Sequence, residues 1–113
     1  MKEFKMDYDK ENDDLLMYLD GTESFGGVEL GDLIVDFDKK GNLVGMEILN
    51  ASVFFSKAIS NLIEITKIKT VEIEIVNFRN MSALQMKINM PNQTYRYTVL
   101  IPRISQSSPA LMT

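Results

Sequence analysis

An α+β fold, a mostly antiparallel β-sheet of about seven to eight strands with one main helix packed on a sheet face, is what this sequence predicts. Three observations carry that reading. Apolar residues alternate with polar ones at a period of two through most of the chain, and only the segment beginning at Ala51 switches to three-and-four spacing. Between Leu33 and Ile48 a strand–turn–strand pattern carries Asp38 and Gly41 where a tight turn needs them.

In chain order, Phe4, Met6 and Tyr8 alternate with Lys5 and Asp7, a half-buried strand that ends near Asp9. The polar run Asp9 to Asp14 forms a turn. Leu15, Leu16, Met17, Tyr18 and Leu19 return as a strand too apolar to face water on one side, closing a first hairpin. A glycine-rich loop from Asp20 to Gly27 leads into Val28, Glu29 and Leu30. The next hairpin joins Leu33–Phe37 to Leu43–Ile48 through Asp38-Lys39-Lys40-Gly41-Asn42. Asp at the start and Gly at the end fit a type I turn closed by a left-handed residue, a conformation Gly adopts without steric cost.

From Asn50 onward, Ala51, Phe54, Phe55, Ala58, Ile59, Leu62 and Ile63 outline an amphipathic helix over about residues 51–65. Asn50 or Ser52 is available to cap its start, and β-branched Ile65, Thr66 and Ile68 mark its decay. Three strands follow, with Val71, Ile73 and Ile75, then Leu84, Met86, Ile88 and Met90, then Tyr95, Tyr97, Val99 and Ile101 on their apolar faces. Pro91-Asn92-Gln93-Thr94 turns between the last two, and Pro102, which has no N–H to donate, ends the final strand. Residues 1–104 are expected to form a single domain, and 105–113, mostly small and polar, a flexible tail.

Composition narrows the function. With 45% hydrophobic and 25% charged residues the chain has globular, not disordered, composition. No apolar run reaches the roughly 18 residues of a membrane span, and Met1 to Asp9 lacks a secretory pattern, so no membrane partner and a cytoplasmic address are expected. The absence of cysteine removes disulfides and thiolate metal sites. A net charge of −4 repels a phosphate backbone, so nucleic acid is not an expected partner. The second half is locally basic, with Lys57, Lys67, Lys69, Arg79, Lys87, Arg96 and Arg103 against Glu64, Glu72 and Glu74. Those charges alternate with apolar residues and form no run, which reads as a mixed solvated surface.

The stretch Tyr8-Asp9-Lys10-Glu11-Asn12-Asp13-Asp14-Leu15 resembles the Tyr-Asp-x-Glu-x-Asp-x-Leu signature of the domain-of-unknown-function 2283 family. A second block, Gly31 to Ser52, is similar to that family's hairpin followed by its Asn/Asp-Ala-Ser helix start. The resemblance covers about residues 4–56 and leaves 57–104 as an extension; Leu16 stands where an aromatic is common. It implies a small, strand-rich cytoplasmic domain without an established activity, and an antitoxin-like partnership with small toxins. It transfers no functional residue.

The chemistry is restricted. Without histidine the Ser-His and Cys-His pairs and imidazole metal sites are absent, and no Ser is followed three residues later by Lys. No glycine-rich phosphate-binding pattern occurs, so no cofactor is expected. Asp7, Asp9, Glu11, Asp13 and Asp14 supply the oxygen ligands that Ca²⁺ or Mg²⁺ prefer, yet the same residues are favoured in turns and at sheet edges, the plainer reading. Asp36, Asp38, Gly41 and Glu47 fall at positions one, three, six and twelve of a calcium loop, with Leu43 at position eight. Lys40 occupies a ligand position and the flanks read as strands, so the hairpin explains the spacing. Met6, Met17, Met46, Met86 and Met90 share strand faces with Leu and Ile and read as core, with an adaptable protein-binding face as the sharper alternative.

No catalytic, cofactor-binding or metal residue is assigned. The leading expectation is a non-enzymatic protein-interaction module, a homodimer or the partner of a small protein. It rests on counting faces: Leu15 to Leu19 and Val71 to Phe78 are apolar on more than one side, and one helix covers only part of a sheet. The rival is a small metal-dependent enzyme or cation-binding protein using the acidic turn Asp7 to Asp14.

Overall fold

A computed structural model describes residues 1–58 and 64–102. Its elements are β1 (Lys2–Asp9), β2 (Asp14–Tyr18), β3 (Gly26–Leu30), β4 (Leu33–Phe37), β5 (Leu43–Ile48), α1 (Ala51–Ala58), a 3₁₀ turn (Ile65–Lys67), β6 (Thr70–Asn77), β7 (Met81–Asn89) and β8 (Thr94–Pro102). The strands form one sheet of eight in the order β3-β4-β5-β2-β1-β6-β7-β8, with every neighbouring pair antiparallel. The expected strand-rich architecture with one helix is therefore present. Among the described residues no helix is long and apolar enough to cross a membrane.

β1 is the joint of the molecule. Lys5 to Asp9 pair with β2, whereas Lys2 to Phe4 pair with β6, so one strand ties an N-terminal group of strands to a C-terminal three-stranded group. The sheet curls as a half-barrel. One cluster gathers Leu33 and Val35 of β4, Met17 of β2, Phe4 of β1, and Leu84 and Met86 of β7, with Ala51 and Phe55 of α1 packed among them. The Phe54 ring meets Phe55 and, across the core, Tyr97 of β8 edge-on, each at 5.5 Å.

This curl answers the face count. An eight-residue helix is roughly 12 Å long and covers a fraction of such a sheet, but Leu15, Met17, Val71 and Ile73 are all buried within one chain because the sheet covers itself. Period-two patterning identifies which residues face inward. It contains no information on curvature.

Two local expectations change. The helix, expected to about residue 65, is helical over Ala51–Ala58; residues 59–63 lie outside the described residues, and Ile65 opens a 3₁₀ turn. The expected tail 105–113 also lies outside them. Gly26 and Gly27, read as loop, are the first residues of β3. Gly27 pairs with Asp36, and a Cβ at Gly27 would sit 2.7 Å from the Asp36 Oδ1, so glycine here makes room for a carboxylate lying across the strand.

The β4–β5 hairpin is built as expected. Gly41 adopts φ +84°, its N–H donates to the Asp38 carbonyl at 3.0 Å, and Asp38 Oδ1 accepts the N–H groups of Lys40 and Asn42, both at 2.9 Å. Gly41→Val should destabilise by about 1–3 kcal/mol, because a β-branched residue is strained at positive φ. Asn42→Ala, which removes one exposed side-chain bond to Asp38, should lower stability by less, within about 0.5 kcal/mol. Denaturant unfolding of the two variants checks the ranking, and equal losses would mean that the left-handed residue does not govern the turn.

Candidate functional site

The polar residues of the first family-like block converge on the start of α1. The β1–β2 turn begins with Asp9, whose carboxylate accepts the Asn12 N–H at 3.2 Å and the Asn12 Nδ2 at 2.7 Å, a side-chain-closed turn. It delivers Asp13 in a left-handed conformation, φ +57°, which Asp tolerates and β-branched residues do not. The backbone carbonyl of Asp13 accepts the Ala51 N–H at 2.9 Å. Its carboxylate accepts the Ser52 N–H at 3.1 and 3.2 Å, the Ser52 hydroxyl at 2.6 Å and the Tyr8 hydroxyl at 2.6 Å.

Asp13 is therefore the helix cap. The first N–H groups of a helix have no partner within it, and here the first two are satisfied from a turn 39 residues distant from Ser52 in sequence. This corrects the expectation that Asn50 or Ser52 caps α1. Asn50 sits at φ +51°, and its carbonyl accepts the first helical bond, from the Phe54 N–H at 3.0 Å, while Ser52 donates through both its N–H and its hydroxyl. A carboxylate at this end also meets the positive pole of the helix.

The electrostatics follow. Partial burial works to raise the Asp13 carboxyl, but bonds from the Ser52 hydroxyl, the Tyr8 hydroxyl and the Ser52 N–H outweigh it and hold the pKa below the ordinary 3.8. The same bond to Asp13 pushes the Tyr8 phenol up to about 12. A carboxylate with a depressed pKa is a weak base, and it does not activate the Ser52 hydroxyl it accepts from. The triad of Tyr8, Asp13 and Ser52 is a latch.

The remaining acids do not gather. Asp7 lies opposite Leu16 on the outward face, Asp14 opposite Asp9, and Glu11 is exposed. Asp36 lies across Gly27, Asp38 holds its own turn, and Glu47 sits between Leu16 and Ile34. Among the described residues no group of three or more His, Cys, Asp or Glu is placed to hold a metal ion. A groove of about 370 Å³ at the opposite end of the sheet, walled by Phe4, Leu43, Ile73 and Ile75, carries Glu74 as the one carboxylate among the described residues that line it.

Comparison with known proteins matches residues 5–52 to a family model described as protein of unknown function, DUF2283. The match supports the DUF2283 family for this segment. An uncharacterised protein of Methanocaldococcus jannaschii is 52% identical over 52 residues, 46% of this chain and 45% of that protein, so the chain spans under half the length of that relative. No solved structure matches the chain significantly. The DUF2283 segment opens within β1 and closes on Ser52, and so contains Tyr8, Asp13 and Ser52, the whole latch. Each block of the DUF2283 segment supplies one half of it. Sequence reading found both blocks but not their contact. The available signal was that Val53 stands at the third helical position, where a self-contained capping box would place Glu or Gln.

Asp13→Ala should cost about 1–2 kcal/mol through loss of the cap, and Tyr8→Phe about 1 kcal/mol or less. Because the folded pKa of Asp13 is depressed, the stability it contributes is present above the ordinary carboxyl value of 3.8 and is lost as pH falls through the lower folded value. Melting temperatures of Asp13→Asn should accordingly fall less steeply on acidification below pH 4 than those of the parent. Parallel acid limbs would show that Asp13 does not carry this linkage.

Proposed function

We propose that the chain is a non-enzymatic protein-interaction module that associates with a second copy of itself. The observation that carries this reading is a grouping of exposed apolar side chains. Of the seven large ones exposed among the described residues, Phe78, Met81 and Leu100, exposed by 54, 40 and 60%, fall at one end of the C-terminal strands β6, β7 and β8, outside the DUF2283 segment, whereas Met1, Leu16, Phe25 and Val53 are scattered. Clustered apolar exposure of this kind favours association. The polar residues of the DUF2283 segment support the same reading from the other side, since they hold the helix to the hairpin and present no base, nucleophile or ligand set to a substrate. An antitoxin-like pairing with a small protein would place a different occupant on that surface.

Light scattering coupled to size exclusion at micromolar concentration should give about twice the 12.9 kDa chain mass. A monomer down to sub-micromolar concentration overturns self-association.

The rival cation-binding reading is tested separately. Asp9 and Asp13 already accept hydrogen bonds within the fold, so millimolar Ca²⁺, Mg²⁺ or Mn²⁺ should move the melting temperature no further than EDTA does. A rise of many degrees that disappears when Asp9, Glu11 and Asp13 are substituted together would establish the acidic turn as a cation site.

A further inference from the structure

We propose that the outward face of β6, β7 and β8 is a self-complementary interface for a second copy of this chain, closed by a two-fold axis running along β7. This rests on the self-association argued above and names its surface. The strand register lays that face out in rows: Val76, Ala83 and Leu100; Glu74, Gln85 and Thr98; Glu72, Lys87 and Arg96. The acids stand on β6 and Arg96 on β8, and the first row is apolar throughout.

Two sheets packed face to face keep their strand directions within about 30° of one another. A two-fold axis along β7 then sets β6 of one copy on β8 of the other with the rows in step. Glu72 meets the partner's Arg96, and Val76 meets the partner's Leu100, each contact occurring twice. An axis across the strands would instead reverse the rows and press Leu100 onto the partner's Arg96, burying charge against apolar surface without a counter-charge. The axial arrangement brings the two Lys87 side chains near each other, but each lies 3.7 Å from Glu72 of its own chain.

The outward face of the other half does not complement itself. Its cross-strand row runs Asp7, Leu16, Glu47, Ile34 and Glu29, three carboxylates without a cation between them, so two copies of it repel.

The test compares masses by light scattering and dissociation constants by sedimentation for the full chain, with circular dichroism melts to verify folding. Leu100→Arg should give a folded monomer, whereas Leu16→Arg, an exposed site on the other half, should remain dimeric. Glu72→Arg and Arg96→Glu should each weaken the dimer by about tenfold or more, and the double reversal should restore it. A dimer insensitive to Leu100→Arg, or one dissociated by Leu16→Arg instead, overturns this interface while leaving self-association standing. A monomeric parent chain overturns both.

Discussion

The Asp13 carboxylate is the constraint on which the arrangement of the N-terminal half depends. α1 is eight residues long, below the length at which an isolated helix is stable in water, and its position is set by what holds its two ends of contact. At its start, Asp13 satisfies two backbone donors and the Ser52 hydroxyl, while Tyr8 of β1 braces the same carboxylate from the sheet side. Further along, Ala51 and Phe55 are buried and Phe54 meets Tyr97 of β8. The helix is thereby tied to the β1–β2 turn by hydrogen bonds and to the far side of the sheet by aromatic contact. It closes the curl rather than decorating one face of it.

The parts of this fold that were legible in the sequence are those governed by neighbours in the chain. Strand positions, the Gly41 turn and the inward set of Met17, Met46, Ile73 and Met86 follow from periodicity and turn chemistry acting over a few residues. The cap was not legible, because Asp13 and Ser52 meet only once two hairpins have formed. Asn50, an ordinary capping residue by type, is occupied in a left-handed bend. Gly27 was misread for the same reason: the carboxylate that requires it, Asp36, belongs to the adjacent strand. Curvature was invisible as well, so a face that looked in need of a partner is covered by its own sheet.

The identity of the buried residues then bears on function. Among the described residues no buried side-chain nitrogen or oxygen lacks a hydrogen-bond partner, and the one buried polar residue of β7, Ser82, donates to Asn77 at 2.5 Å. The carboxylates with displaced titration, Asp9, Asp13 and Asp38, owe it to bonds that close turns or cap the helix. In each case the perturbed acid has a structural partner that accounts for it.

β1 links these two arguments. It carries Tyr8 of the latch, pairs through its C-terminal residues with β2 and through its N-terminal residues with β6, the first strand of the extension. Opposite-facing side chains alternate along it, so Phe4 joins the core of both halves while Lys5 and Asp7 face outward on the acidic side. The matched segment thus supplies a braced half with a row of three outward carboxylates, and the extension adds strands whose outward surface carries both signs of charge and an apolar row. In the association proposed above, the second copy approaches the half that the family model does not cover, where both signs of charge and an apolar row face outward.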